Sequence, residues 1–230
     1  MNRCLYCALA ILAALALVAC APNINLLDDA KLQDTSLLSG EPCEAPCWNG
    51  ITPGETSYRD AKLIIDGDAR FKIAEESEAE GDNPGRVFTF AEGENPGCCQ
   101  VISRDGETIS SFLLQVAPLM TYGPVYDKYG EPTYAGGHQV SDEQAYVVLV
   151  YPELPLVIYS FVEGGGQGEV SVHNKIIGVM YMADAEMEQL LTCAQLNYWK
   201  GFQPLSMYVS GEEFDYVGSG VGDEAVCPTG

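Results

Sequence analysis

The sequence predicts an α+β fold: two helix-plus-antiparallel-sheet units, then a C-terminal helix, stapled by disulfides. Three observations predict it. Apolar residues recur at helical spacing in two short stretches, and after each stretch the period switches to two, in alternating segments separated by glycine, proline and asparagine. The third is the cysteine content, nine in 230 residues, most of it downstream of an apolar leader.

The leader comes first. Asn2-Arg3 gives a short positive start, the run from Cys4 to Cys20 is apolar, and Pro22-Asn23 end it. Residues 1–19 therefore read as a secretory signal peptide. Leu17-Val18-Ala19-Cys20 resembles the lipobox of bacterial lipoproteins. The resemblance implies cleavage before Cys20 and a diacylglycerol on its sulfur, so that the protein is lipid-anchored in the cell membrane on the extracytoplasmic side. The alternative, an uncleaved membrane anchor, needs about 20 apolar residues, which the run only approaches. Residues 20–41, with Asp28, Asp29, Ser36, Ser39 and Gly40, are expected to form a lipidated tether that holds the domain off the membrane.

Charge narrows the partners. Against 33 acidic side chains there are 11 basic ones, a formal charge of −22, which repels phosphate backbones and anionic lipid surfaces. Nucleic acid is excluded as a partner. Contact with the membrane then falls to acyl chains on Cys20, each buried CH2 contributing about 0.8 kcal/mol. With the leader and Cys20 set aside, Cys43, Cys47, Cys98, Cys99, Cys193 and Cys227 remain, an even set that reads as disulfides outside the cytoplasm. Cys193 and Cys227 lie far from the others and form a natural pair. The other four would then pair among themselves, in an order the sequence leaves open; a vicinal Cys98–Cys99 redox switch is the rarer outcome. Adjacent cysteines chelate one ion poorly, so the set is not read as a zinc site.

The first unit spans residues 42–117. Pro46 to Gly54 is dense in turn formers and leads to a helix cap at Thr56 or Ser57. The helix that follows has Tyr58, Ala61, Ile64 and Ile65 on one face and stops at Gly67. Strands are expected over 71–74, 86–90, 99–103 and 108–116, punctuated by Asn83-Pro84-Gly85, Asn95-Pro96-Gly97 and Asp105-Gly106. The acidic run Glu75, Glu76, Glu78, Glu80 and Asp82 is expected in a solvated connection, and it lacks the EF-hand pattern.

The second unit spans 118–230. A helix from Tyr122 ends at Gly130 and Pro132, and strands are expected over 145–151, 154–162 and 169–182. Asp184 is expected to cap a final helix lined by Met187, Leu190, Leu191, Ala194 and Tyr198 and closed by Gly201, with one more strand at Met207 to Val209. This repetition, with Thr52-Pro53-Gly54-Glu55-Thr56 in one half and Tyr129-Gly130-Glu131-Pro132 in the other, resembles the small lipoprotein modules related to BamE and the beta-lactamase-inhibitor proteins. Residues 46–56 also resemble a stretch of lipoproteins from filamentous Chloroflexi-type bacteria. The resemblance implies a surface lipoprotein and supplies no activity.

Chemistry is sparse. His138, in a Gly-Gly loop, and His173, at an expected strand end, sit in no catalytic motif. No nucleophile elbow, zincin or phosphate-loop pattern occurs, so no catalytic residues, metal ligands or cofactor are assigned. Tyr122, Tyr126, Tyr129 and Tyr134, and a second group of Tyr198, Trp199 and Phe202, read either as packing or as an exposed aromatic patch. The expectation is a non-enzymatic binding or scaffolding lipoprotein whose partner is another envelope protein or a glycan. The alternative is an extracytoplasmic hydrolase or glycan-active enzyme using paired carboxylates.

Overall fold

The computed structural model describes residues 25–78, 84–95, 97–209 and 216–217. The helices are α1 (Ser36–Ser39), α2 (Tyr58–Gly67), α3 (Tyr122–Tyr129) and α4 (Asp184–Cys193). Ten strands follow in order among the described residues. They are β1 (Phe71–Glu78), β2 (Arg86–Glu92), β3 (Cys99–Ser103), β4 (Ser111–Gln115), β5 (Tyr134–Gln139), β6 (Gln144–Tyr151), β7 (Leu156–Glu163), β8 (Ile176–Met182), β9 (Leu196–Tyr198) and β10 (Tyr216–Val217).

All ten strands share one antiparallel sheet, ordered β1-β2-β3-β4-β8-β7-β6-β5-β9-β10. The fold is α+β and mostly sheet. Helix followed by a four-stranded meander does occur twice, yet the meanders are not separate units, because β4 pairs with β8 from Ser111↔Met182 to Gln115↔Gly178. The reason is the edge. Alone, each meander would leave the backbone groups of its last strand bare beside apolar Phe112 and Leu114 or Val179 and Tyr181; pairing the two satisfies both and fuses two cores into one.

The sheet's inner face carries that core. Phe88, Phe90, Val101, Phe112, Leu114, Leu149, Ile158 and Tyr181 are buried under α2, α3 and the segment leading into them. In α2 the Ser57 hydroxyl accepts from the Asp60 N–H at 3.0 Å, the cap that the sequence pattern anticipates. Just upstream, Trp48 and Ile51 exchange backbone hydrogen bonds of 3.0 and 2.8 Å across Asn49-Gly50, both at positive φ, a two-residue hairpin that drops both flanking side chains into the core.

Several expectations are corrected. The described part of the expected tether is packed, not extended: Leu32 and Leu37 are buried, and Leu32 bridges Val116. Strand β1 runs on through Glu78, so Glu75, Glu76 and Glu78 lie in a strand; Glu76 takes Lys62 at 2.6 Å and the Tyr58 hydroxyl at 3.0 Å, fastening α2 to the sheet edge. His138 sits in β5, whose glycines look like a loop. A Cβ on Gly137 would lie 3.1 Å from Leu205, a tight contact that glycine avoids in this strand. Residues 169–175 are not strand: the Tyr122 and Gly123 N–H groups donate to Asn174 and Val172 carbonyls, so this segment serves the start of α3, and His173 stands in a turn. Ala183, not Asp184, occupies the cap position of α4, and the helix ends at Cys193 because Leu196–Tyr198 joins the free edge of β5 instead. Residues 205–207 form a 3-10 turn in place of the expected strand.

Candidate binding groove on the outer sheet face

An antiparallel sheet with one solvated face ordinarily alternates apolar and polar side chains. Here the outer face is apolar as well. Val150, Val157 and Met182 point outward and are covered by Met187 of α4 and by Leu196, forming a second, smaller core. The Arg104–Glu186 pair at 2.5 Å ties α4 to the β3–β4 turn. Helix α4 reaches over only one end of the face, and beyond it Leu113, Val148, Tyr159 and Met180 remain half-buried.

Register places these side chains together. Leu113 of β4 faces Met180 of β8, Gly178 of β8 faces Tyr159 of β7, and Tyr146 of β6 faces His138 of β5. Gly178 matters because a Cβ there would meet the Tyr159 ring at 3.3 Å; without it the ring lies over the strand. The Tyr159 hydroxyl reaches the Met180 sulfur at 3.8 Å, its ring centroid is 6.0 Å from that of Tyr146, and His138 stacks on Tyr146 at 5.0 Å. Burial raises the pKa of the Tyr159 hydroxyl, with Tyr146 adding to the effect, and burial lowers that of His138, so both groups favour their neutral forms.

Of these residues, Leu113, Tyr146, Tyr159 and Gly178 line a groove of about 400 Å³. Leu113, Tyr146, Tyr159 and Ile177 make its apolar walls, while Asp28, Lys31 and Gln115 add polar groups. The N-terminal segment contributes Asn25 and Leu26, and the Leu26 N–H donates to Gln144 Oε1 at 2.8 Å. Two further depressions adjoin it. One of about 370 Å³ shares Leu113 and Gln115 and extends past Gln100 to Cys98 and Cys99. The other, of about 590 Å³, shares Asn25 and carries Asp142, Glu143 and Glu163. Those three carboxylates are exposed. Among the described residues no group of three or more His, Cys, Asp or Glu is placed to hold a metal ion.

The residues singled out from the sequence fall elsewhere. Cys43 and Cys47 form a disulfide with a Cα separation of 5.7 Å, and the neighbours Cys98 and Cys99 form another at the start of β3. Cys193 is also disulfide-bonded, at the end of α4, and since the other four described cysteines pair with each other its partner lies beyond them. Cys20 and Cys227 lie outside the described residues. The two aromatic groups meet: Tyr122, Tyr126 and Trp199 gather around Phe202 at 6.2, 5.3 and 5.6 Å. Most of this cluster is packing, with Tyr198 and Phe202 left exposed at 52% and 38%. The groove pair Tyr146 and Tyr159 was readable in principle, because β6 and β7 are apolar almost without interruption, the pattern of strands covered on both faces.

No family model, no curated protein sequence and no solved structure matches this chain.

Proposed function

We propose that this protein is an extracytoplasmic lipoprotein, anchored in the cell membrane through a diacylglycerol on Cys20, whose outer-face groove binds an apolar or aromatic-facing group of another envelope protein or a glycan. One observation carries the binding part: Tyr146 and Tyr159 stand half-exposed over Gly178 with Leu113 and Met180 beside them, an apolar surface left open where a solvated sheet face would be polar. A concave, mostly apolar site edged by a few polar groups is the general form of a ligand pocket, and about 400 Å³ falls within the usual range. Anchoring rests on the lipobox-like Leu17 to Cys20. The groove's walls are mostly apolar and aromatic and offer contact and shape, which favours binding over hydrolysis.

Two measurements test this. Mass spectrometry of membrane-extracted protein is expected to find Cys20 as the modified N-terminus; an intact Met1, or an unmodified Cys20, overturns the anchoring. Titration of the lipase-deacylated protein with N-phenyl-1-naphthylamine, a neutral apolar fluorophore, is expected to show saturable binding that Leu113→Glu weakens at least about tenfold, or 1.4 kcal/mol. Binding of equal strength in that variant refutes the assignment of the groove.

A further inference from the structure

We infer that the groove is the berth of one acyl chain carried on Cys20 of the same molecule, held there until a membrane takes it. This rests on both readings above, the apolar groove and the lipidated Cys20, and names the occupant that fills the groove before membrane insertion frees it for a partner. The first two described residues, Asn25 and Leu26, are themselves part of the groove's lining. Leu26 is fixed there by its bond to Gln144, and the chain then passes around the sheet to bury Leu32 on the inner face. The described chain therefore begins at the groove itself. Five residues span at most about 17 Å, so a lipid on Cys20 is tethered no farther than that from Asn25 in the groove's lining.

Chemistry agrees with reach. The groove is apolar along Leu113, Tyr146, Tyr159 and Ile177, and Lys31 and Gln115 in its lining carry N–H donors, so a hydrocarbon tail lies on the rings while the glycerol ester oxygens meet those donors. Its volume of about 400 Å³ exceeds twice the roughly 150 Å³ of a dry apolar cavity that takes a benzene-sized guest. The second chain stays available to start insertion. An acidic protein of charge −22 gains nothing electrostatically from an anionic leaflet, so release of the berthed chain is driven by the hydrocarbon alone.

The test uses the processed, acylated protein with Tyr146 replaced by photoreactive p-benzoylphenylalanine, an aromatic-for-aromatic change at a half-exposed site. In detergent-free buffer, irradiation is expected to give an adduct between position 146 and a Cys20-borne acyl chain, located by mass spectrometry. Vesicles of phosphatidylethanolamine and phosphatidylglycerol are expected to abolish it. The same probe at Leu63, which is 59% exposed on α2, should give none. No adduct at position 146, or equal adducts at both positions, overturns the berth; if the deacylated protein still binds N-phenyl-1-naphthylamine, the groove reading survives that failure. Deacylated protein that does not bind the fluorophore overturns both.

Discussion

Replacing Tyr151 by phenylalanine should destabilise the protein, and then replacing Tyr122 as well should restore part of the loss. The two hydroxyls lie 2.7 Å apart, with Tyr122 fully buried and Tyr151 4% exposed. Tyr151 donates its proton to the Gly130 carbonyl at 3.2 Å, so in this pair Tyr122 is the donor and Tyr151 the acceptor. Tyr151→Phe leaves the Tyr122 hydroxyl buried with no partner, a desolvation cost of about 1–3 kcal/mol. Tyr122→Phe orphans nothing, because Tyr151 keeps its bond to Gly130; it removes one hydrogen bond, about 0.5–1.5 kcal/mol. In the double variant no hydroxyl remains to be orphaned, and the cost falls back toward that of Tyr122→Phe. With a urea slope of about 2 kcal/mol per M, the midpoint should drop by about 0.5–1.5 M in Tyr151→Phe and by half that in Tyr122→Phe. Tyrosine-122 replacement costing as much as Tyrosine-151 replacement, or a double variant equal to the sum of the singles, would refute the donor assignment.

The same pair sets an alkaline limit. Burial pushes the Tyr151 hydroxyl up to about 12 and raises Tyr122 further, so the folded chain holds protons that the unfolded chain gives up near pH 10. Their stabilisation is fully present below about pH 10 and lost as pH rises through about 12; urea midpoints measured across that window should fall less steeply in the double phenylalanine variant, and equal slopes would sink the linkage. Gly165 stands at φ +57° with any Cβ only 2.5 Å from the Asp142 carbonyl oxygen, so Gly165→Ala should cost at least about 1 kcal/mol and lower Tm by about 2–4 °C per kcal/mol; an unchanged Tm contradicts it. Non-reducing peptide mapping should join Cys193 to Cys227, closing a loop of about 35 residues whose chain-entropy contribution is roughly 3–4 kcal/mol; a free Cys227 thiol would dismiss the pairing.

Local chemistry made α2, α3 and most strands legible. Ser57 and Gly67 bracket α2 in sequence as they do in space, and Gly130 ends α3 where its left-handed tolerance predicts. What was not legible depended on distant partners. Nothing within β5 says that Gly137 must admit Leu205, nothing within α4 says that Leu196 will leave the helix for the edge of β5, and nothing in either meander says that β4 and β8 will meet. The apolar runs of β6 and β7 tell that both faces are covered, but not by what: register and the N-terminal segment set Tyr146 and Tyr159 beside Gly178 and Leu26. The disulfide chemistry was visible as a set of thiols, but choosing Cys43–Cys47 and Cys98–Cys99 took coordinates.

The β4–β8 seam also imposes a timetable on synthesis. Each of its register pairs joins residues some 63 to 71 positions apart, as in Gln115↔Gly178 and Ser111↔Met182. At a synthesis rate of about 5–20 residues per second, β4 emerges roughly 3–14 s before the strand that will pair with it. During that interval the newborn first meander exposes an unpaired edge and the apolar sides of Phe112 and Leu114. A chaperone that engages the growing chain has its moment there, after Gln115 has emerged and before Met182 has.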